Sequence, residues 1–419
     1  MSKIARFYSK NRLFPVIMWL LSRGVIITAM LVIAPLLPAP PSGIVPEFGW
    51  QVFAAWDGEW YRKIVTNSYE YMPDGEQHSI AFFPLFPLVV RGVMALGLPF
   101  NVAGTLVNNF AFLGALMLVY SWVEERHGTS AARWTTATLA WCPFSLYGTV
   151  IYTEGLFLLL STSALRAFEK QQYARVALWG ALASATRVTG AMLVPAFLVV
   201  AWREGRKTPA YLASLATSLG LLLFSGYCWL RFGDFLAFVH VQQAWGGTRG
   251  FAWQEWLRII RQAVVGSIDA STGAIKNPTH GLLFLGICAA ASLLWYFRQR
   301  LGSIKVGYVF CILLFLLWLL AGDRLLKPVI VFGGIYLLWC LRSQLSRVVV
   351  VYGFFAFALL LNAGRTISVD RYAYGIVSLS VAYGILLARY PRLGYPIMSF
   401  FAIVLASFAI RFAQQLWVA

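Results

Sequence analysis

Residues 14–37 read Phe14-Pro-Val-Ile-Met-Trp-Leu-Leu-Ser-Arg-Gly-Val-Ile-Ile-Thr-Ala-Met-Leu-Val-Ile-Ala-Pro-Leu-Leu37, with Arg23 the single charge. As a helix this stretch covers roughly 36 Å, more than the hydrocarbon thickness of a bilayer. Lys3, Arg6, Lys10 and Arg12 precede it. It is too long for the apolar core of a signal peptide, and no small-residue cleavage site follows, so it reads as a retained transmembrane helix. Apolar runs of spanning or near-spanning length recur at 101–122, 134–150, 154–168, 176–202, 210–231, 280–297, 306–321, 328–341, 348–362, 372–388 and 395–412. The 176–202 run carries Arg187 and Gly190 at its middle, which divides it into two short helices meeting at the outer face. The expectation is an all-α polytopic membrane protein. It has eleven to thirteen transmembrane helices, with residues 1–419 forming one transmembrane domain.

Composition agrees. Of 419 residues, 60% are hydrophobic and 12% charged, about half the charged share of an average soluble domain. Disordered chains, disulfide scaffolds and ordinary soluble enzymes are excluded. The net charge of +18 suggests nucleic acid in a soluble protein, but topology accounts for it here. With the N-terminus inside, 19 of the 34 Lys and Arg fall in short inner loops with only four acids, whereas 12 of the 16 acids lie outside. That is the positive-inside pattern, and no nucleic-acid partner is needed. Cys142, Cys228, Cys288, Cys311 and Cys340 all sit in apolar runs without CxxC spacing, so they read as buried small hydrophobes.

The inner loops are too short for a nucleotide-binding domain, so chemistry belongs to the two long outer segments, 38–100 and 232–279. In the first, Trp56-Asp57-Gly58-Glu59-Trp60-Tyr61-Arg62-Lys63 sets two acids among aromatics, and Phe82-Phe83-Pro84-Leu85-Phe86-Pro87 follows. One reading is an aromatic belt at the membrane interface. The other is a carboxylate site with a general base, Asp57 or Glu59, flanked by aromatic faces that stack on sugars. The 82–98 stretch is short and contains Arg91, which makes it an interfacial helix rather than a span. Tyr152-Thr153-Glu154 opens another apolar helix. There Glu154 either complements the helix dipole, with Thr153 as cap, or faces the cavity as a second carboxylate. Arg187, within an apolar run, demands a partner: a substrate anion, or an acid such as Glu154. The segment with Phe235, His240, Gln243, Trp245, Arg249, Trp253 and Trp256 suits a carbohydrate or headgroup, or forms a plain interfacial helix. Arg371, before Tyr372, opposes the dipole of the helix it opens and calls for an anion, either a phosphate or Asp370.

These motifs together carry a resemblance. Trp56-Asp57-Gly58-x-Trp60-Tyr61, Tyr69, Phe82-Phe83-Pro84-Leu85-x-Pro87, Tyr152-Thr153-Glu154-x-Leu156-Phe157, Thr186-Arg187-x-x-Gly190 and Arg371-Tyr372 resemble the PIG-V-like mannosyltransferases. The most specific part is the WDG and FFPLxP pair. The family belongs to the GT-C glycosyltransferases. The resemblance implies a polytopic enzyme with a catalytic acid in the first external loop, here Asp57, and a polyprenyl-phosphate sugar as donor. A lipid or glycan would accept the sugar on the external or periplasmic face, with inversion. With the apolar runs and the charge pattern, the expectation is a multi-pass protein of a bacterial inner membrane, with its N-terminus cytosolic. Arg187 and Arg371 would hold the donor phosphate, and Glu59 or Glu154 would orient the acceptor or bind Mg²⁺ or Mn²⁺. Two other readings share some features: a transporter or flippase of a sugar-linked lipid, and a polymerase using lipid-linked oligosaccharide. The chain lacks the internal repeats common in transporters.

Overall fold

The computed structural model describes residues 2–246, 250–269 and 274–418. Among these there is no β-strand, only two isolated bridges. The first apolar run is helix α1 (Ser2–Thr28), extended through a π-helical turn to Leu36. Two short helices of the first long segment follow, α2 (Asp57–Asn67) and α3 (Leu85–Met94). At ten residues, α3 extends roughly 15 Å, half a bilayer core. It packs on α4 (Phe100–Trp141), which is two apolar runs joined at Gly128, whose φ of +82° breaks the helix. The 154–168 run is α5 (Glu154–Glu169), and the arginine-bearing run is divided as its sequence suggests, into α6 (Tyr173–Ser184), a 3₁₀ turn over Val188–Met192, and α7 (Leu193–Arg203).

The rest of the bundle runs α8 (Thr208–Phe232, in two pieces), α9 (Trp253–Val265), α10 (Thr279–Tyr296), α11 (Ser303–Ala321), α12 (Asp323–Cys340), α13 (Arg347–Leu361), α14 (Val369–Tyr374), α15 (Val377–Arg389) and α16 (Pro391–Ala413). Among the described residues five helices are long and apolar enough to cross a membrane. A sixth span results if Lys305–Ala321 and Asp323–Cys340, bent by 119°, count as one. The remaining apolar runs fold as shorter helices beside them. The chain is a multi-pass membrane protein. Of the five cysteines, all free, only Cys228 is fully buried and Cys340 is exposed on its helix. The expectation of five buried thiols fails because a lipid-facing helix surface tolerates the same residue type as the interior.

The centre of the bundle is α4, flanked by α1, α5 and α15. Lipid gives packed helices no hydrophobic advantage over solvated ones, so close approach through small residues sets their contacts. Gly384 of α15 is such a point. A Cβ there would lie 1.8 Å from the Thr135 hydroxyl oxygen and 2.6 Å from its backbone nitrogen. Gly384→Ala is therefore expected to lower the melting temperature in detergent by several degrees, the effect of about 1–3 kcal/mol of overpacking. Gly24→Ala, which meets nothing within 4 Å, is expected to leave it unchanged.

Candidate active site

The site is built on the loop between α4 and α5. Its backbone is fixed by buried side chains from two helices. Arg23 of α1 donates through Nη1 to the Ser145 carbonyl (2.9 Å) and through Nη2 to the Ala140 carbonyl (3.2 Å) and the Ser145 hydroxyl (2.9 Å). Asn108 Nδ2 donates to the carbonyls of Tyr147 (2.7 Å) and Val150 (2.6 Å), and Asn109 Nδ2 to that of Thr149 (2.9 Å). Asn108 Oδ1 also accepts the Gly155 N–H at 2.9 Å. The α5 N-terminus is thus capped from a neighbouring helix. Thr153, the expected cap, makes no such bond. The Ile151 N–H donates to the Phe53 carbonyl (2.9 Å) and the Asp57 N–H to the Tyr152 hydroxyl (3.3 Å), which ties the first long segment to this loop.

Four charged groups meet there. Arg371 donates from Nη1 to Asp57 Oδ2 at 2.8 Å, and its Nε lies 3.4 Å from Glu154 Oε1. The same Glu154 oxygen accepts from Arg187 Nη1 at 2.5 Å. Tyr372 lies between the two guanidinium groups, its ring 4.5 Å from Arg187 and 5.0 Å from Arg371. Tyr152 and Tyr147 flank Arg371 at 5.0 and 5.3 Å. The sequence left two anions open for Arg371, a phosphate or Asp370. Its guanidinium instead pairs with Asp57 and Glu154, while Asp370 Oδ1 accepts the Arg371 backbone N–H at 3.1 Å. Burial pushes the Asp370 carboxyl up from its ordinary value. Burial also pushes the Tyr372 phenol up, but Arg371, Arg187 and Arg365 outweigh that and hold it below its usual value. Glu154 Oε2 is buried with no partner.

The other sequence candidates divide. Trp60 stacks on Phe82 (5.8 Å) and meets the edge of Trp245 (5.8 Å), with Lys63 Nζ 4.4 Å over its ring. That is an aromatic wall drawn from both long segments. Tyr61 is buried against Phe82 and Phe86. Glu59 and Arg62 pair with each other at 3.3 Å, and Arg62 also reaches Asn101 Oδ1 at 3.0 Å, so neither joins the four-charge cluster. Phe83 packs into a separate core with Phe224 and Phe238. His240 pairs with Asp234 at 2.7 Å, beside the Tyr71 hydroxyl. Arg249 lies outside the described residues. Among the described residues no group of three or more His, Cys, Asp and Glu could hold a metal ion. Asp57 and Glu154 each face an arginine, so the donor set does not fit Mg²⁺ or Mn²⁺. Arg23, Asn108 and Asn109 went unassigned in the sequence. A lone arginine inside an apolar span was the available signal for the first.

Breaking a buried ion pair strands the remaining charge, at a cost of about 3–5 kcal/mol. Glu154→Gln and Arg187→Gln are each expected to destabilise the detergent-solubilised protein strongly, and the double variant by less than the two singles added. A double-mutant cycle on thermal or denaturant unfolding reads this coupling.

The family model described as Mannosyltransferase (PIG-V) matches residues 3–204. GPI mannosyltransferase 2 of Drosophila pseudoobscura pseudoobscura is 28% identical over 122 residues, covering 26% of this chain and 26% of that protein. The Drosophila melanogaster protein of the same name is 28% identical over 114 residues, 24% of each. The chain thus aligns with about a quarter of the length of these curated relatives. Among solved structures, the oligosaccharyltransferase AglB of Archaeoglobus fulgidus, in complex with an inhibitory peptide and a dolichol-phosphate, superposes with a TM-score of 0.46. It is 13% identical, over 94% of this chain and 56% of that one. ArnT of Cupriavidus metallidurans, bound to undecaprenyl phosphate, gives 0.41 at 14% identity, over 91% and 78%. The matched residues 3–204, which resemble the PIG-V mannosyltransferases, carry Asp57, Glu154 and Arg187 but not Arg371.

Proposed function

We propose that this chain is an integral-membrane glycosyltransferase of the GT-C type, transferring one sugar, a mannose, from a polyprenyl-phosphate sugar to a lipid or glycan acceptor. The observation that carries the reading is the Asp57–Arg371–Glu154–Arg187 network. It combines a partly exposed carboxylate with two buried guanidinium groups. The family match over residues 3–204 supports the reaction class, and the positive-inside distribution supports a cytosolic N-terminus with the site on the opposite face. In a bacterial cell that is the periplasmic face of the inner membrane.

In this reading the donor phosphate binds Arg187 and Arg371, whose planar forks match phosphate oxygens. Asp57 takes the proton of the acceptor hydroxyl as that oxygen attacks the anomeric carbon. The bond from that carbon to the phosphate oxygen breaks, its electron pair stays with the lipid phosphate, and the carbon inverts. Negative charge grows on the phosphate as it leaves, so the arginines bind the transition state more strongly than the donor. Trp60 and Trp245 offer apolar faces to the sugar rings.

In the ligand-free protein Asp57 competes with phosphate for Arg371. Asp57→Asn removes both that competitor and the base. It is expected to cut turnover by about 10²–10⁴-fold while tightening the binding of polyprenyl phosphate. The assays are transfer from radiolabelled polyprenyl-phosphate mannose by purified protein in detergent, and a lipid-binding titration. Near-normal turnover in Asp57→Asn removes the base assignment. Absence of any sugar transfer by the wild type, together with movement of the lipid-linked sugar across reconstituted vesicles, replaces the enzyme with a transporter.

A further inference from the structure

The C-terminal tail folds back onto the first long segment beside Asp57. The Ile44 N–H donates to the Gln414 carbonyl at 3.0 Å, and Gln414 Nε2 donates to the Pro38 carbonyl at 3.4 Å. Arg411 bridges Asp323 (2.7 Å) and the Trp417 carbonyl (3.1 Å). The tail is therefore held by several bonds, and it carries Gln415 and Trp417 to the α2 N-terminus. Trp417 meets Trp56 edge to face, with ring centroids 5.0 Å apart. Between tail and helix runs a cleft of about 120 Å³, lined by Ala55, Trp56, Glu59 and Gln415.

Two features set this cleft apart. Both walls contain a non-glycine residue at positive φ: Trp56 at φ 60°, ψ −115° and Gln415 at φ 58°. At Gln415 this is the left-handed end of α16, closed by the Gln415 and Leu416 N–H groups on the Phe412 and Arg411 carbonyls; at Trp56 it is strain of the kind that clusters at active sites, ligand clamps and switch regions. The polar groups are also left open. The Glu59 carboxylate is half exposed, with one ion pair to Arg62, and the Gln415 amide makes no hydrogen bond among the described residues. Indole faces beside a carboxylate and an amide match a polyhydroxylated ring. The C–H faces of such a ring lie against aromatics, and its hydroxyls donate to the carboxylate and exchange hydrogen bonds with the amide.

We infer that Trp56, Glu59, Gln415 and Trp417 form the acceptor subsite and that it takes a neutral, polyhydroxylated sugar ring. This rests on the glycosyltransferase reading and adds to it the C-terminal tail as the acceptor wall. Two lining residues, Trp56 and Glu59, bracket Asp57 in sequence at the start of α2, which is the ground for placing the acceptor ring on this side of the base.

Two variants separate recognition from folding. Gln415→Gly removes the amide but relieves the positive φ, so the protein stays as stable or gains stability. Trp417→Ala removes the aromatic wall. The probes are octyl α-mannoside and methyl α-mannoside, tested as acceptors with polyprenyl-phosphate mannose and as ligands by saturation-transfer NMR. Each variant is expected to raise KM for both glycosides by about tenfold, a common size for one lost contact, with the donor KM unchanged. Trp202→Ala, an exposed indole on α7, serves as the control and is expected to change neither. An effect on the octyl glycoside alone would assign the cleft to the lipid chain and overturn the ring subsite. Unchanged acceptor KM in both folded variants, or no saturation transfer to methyl mannoside in the wild type, also overturns it. Failure of the glycosyltransferase reading looks different: the wild type binds the ring but transfers no sugar to either glycoside.

Discussion

The carboxylate of Glu154, almost fully buried, is shared by two arginines, Arg187 and Arg371, that lie far apart in the chain. Burying one charge near a bilayer is costly, and burying several is tolerable only if they neutralise one another. Asp57 completes the balance, so two anions face two cations. The balance also explains why the site lies where four chain segments converge. The N-terminal end of α5 supplies one acid and the start of α2 the other. The break between α6 and α7 brings one arginine, and α14 brings the second.

Neutrality alone does not fix geometry. The precision comes from neutral hydrogen bonds beneath the charges. Arg23, Asn108 and Asn109 bind carbonyls along the loop over residues 140–150, and Asn108 also binds the first turn of α5. Those backbone groups would otherwise be unsatisfied in an apolar bundle, at a cost of about 1–3 kcal/mol each. The same bonds hold the loop that presents Tyr147, Tyr152 and Glu154. Structural satisfaction and site preorganisation are therefore one set of contacts.

Local physics decided what the sequence could reveal. The apolar runs, the division of 176–202 at Arg187 and the short helix over Leu85–Met94 follow from hydropathy, length and the expense of charge in lipid. Pairings do not follow from these. Arg371 and Asp57 are 314 residues apart, and nothing in their neighbourhoods encodes that contact, so nearby Asp370 looked like an equal partner. Thr153 was the expected cap because capping rules are written for adjacent residues, while Asn108 does the work from another helix. Phe83 and His240 share the composition of a sugar-binding loop with Trp60 and Trp245. Only packing separates an aromatic that fills a core from one that lines a wall. The role of the C-terminal tail was illegible for the same reason.

The network also sets which charge yields when an anion arrives. A phosphate adds negative charge to a site that is already balanced, so one carboxylate must release its arginine. Glu154 cannot leave cheaply: it is 1% exposed at its side chain and its oxygen binds both guanidinium groups. Asp57 holds only Arg371 and is 22% exposed, so water can solvate it once it is released. In the proposed reaction an entering phosphate therefore exchanges with Asp57 while Glu154 keeps both arginines in place. The carboxylate freed by that exchange belongs to the helix start whose Trp56 and Glu59 line the cleft between α2 and the C-terminal tail. Donor binding and exposure of a base are then a single electrostatic event. In the proposed reaction it orders the two substrates without a moving domain, because Arg371 masks the base until the phosphate takes the place of Asp57 on that arginine.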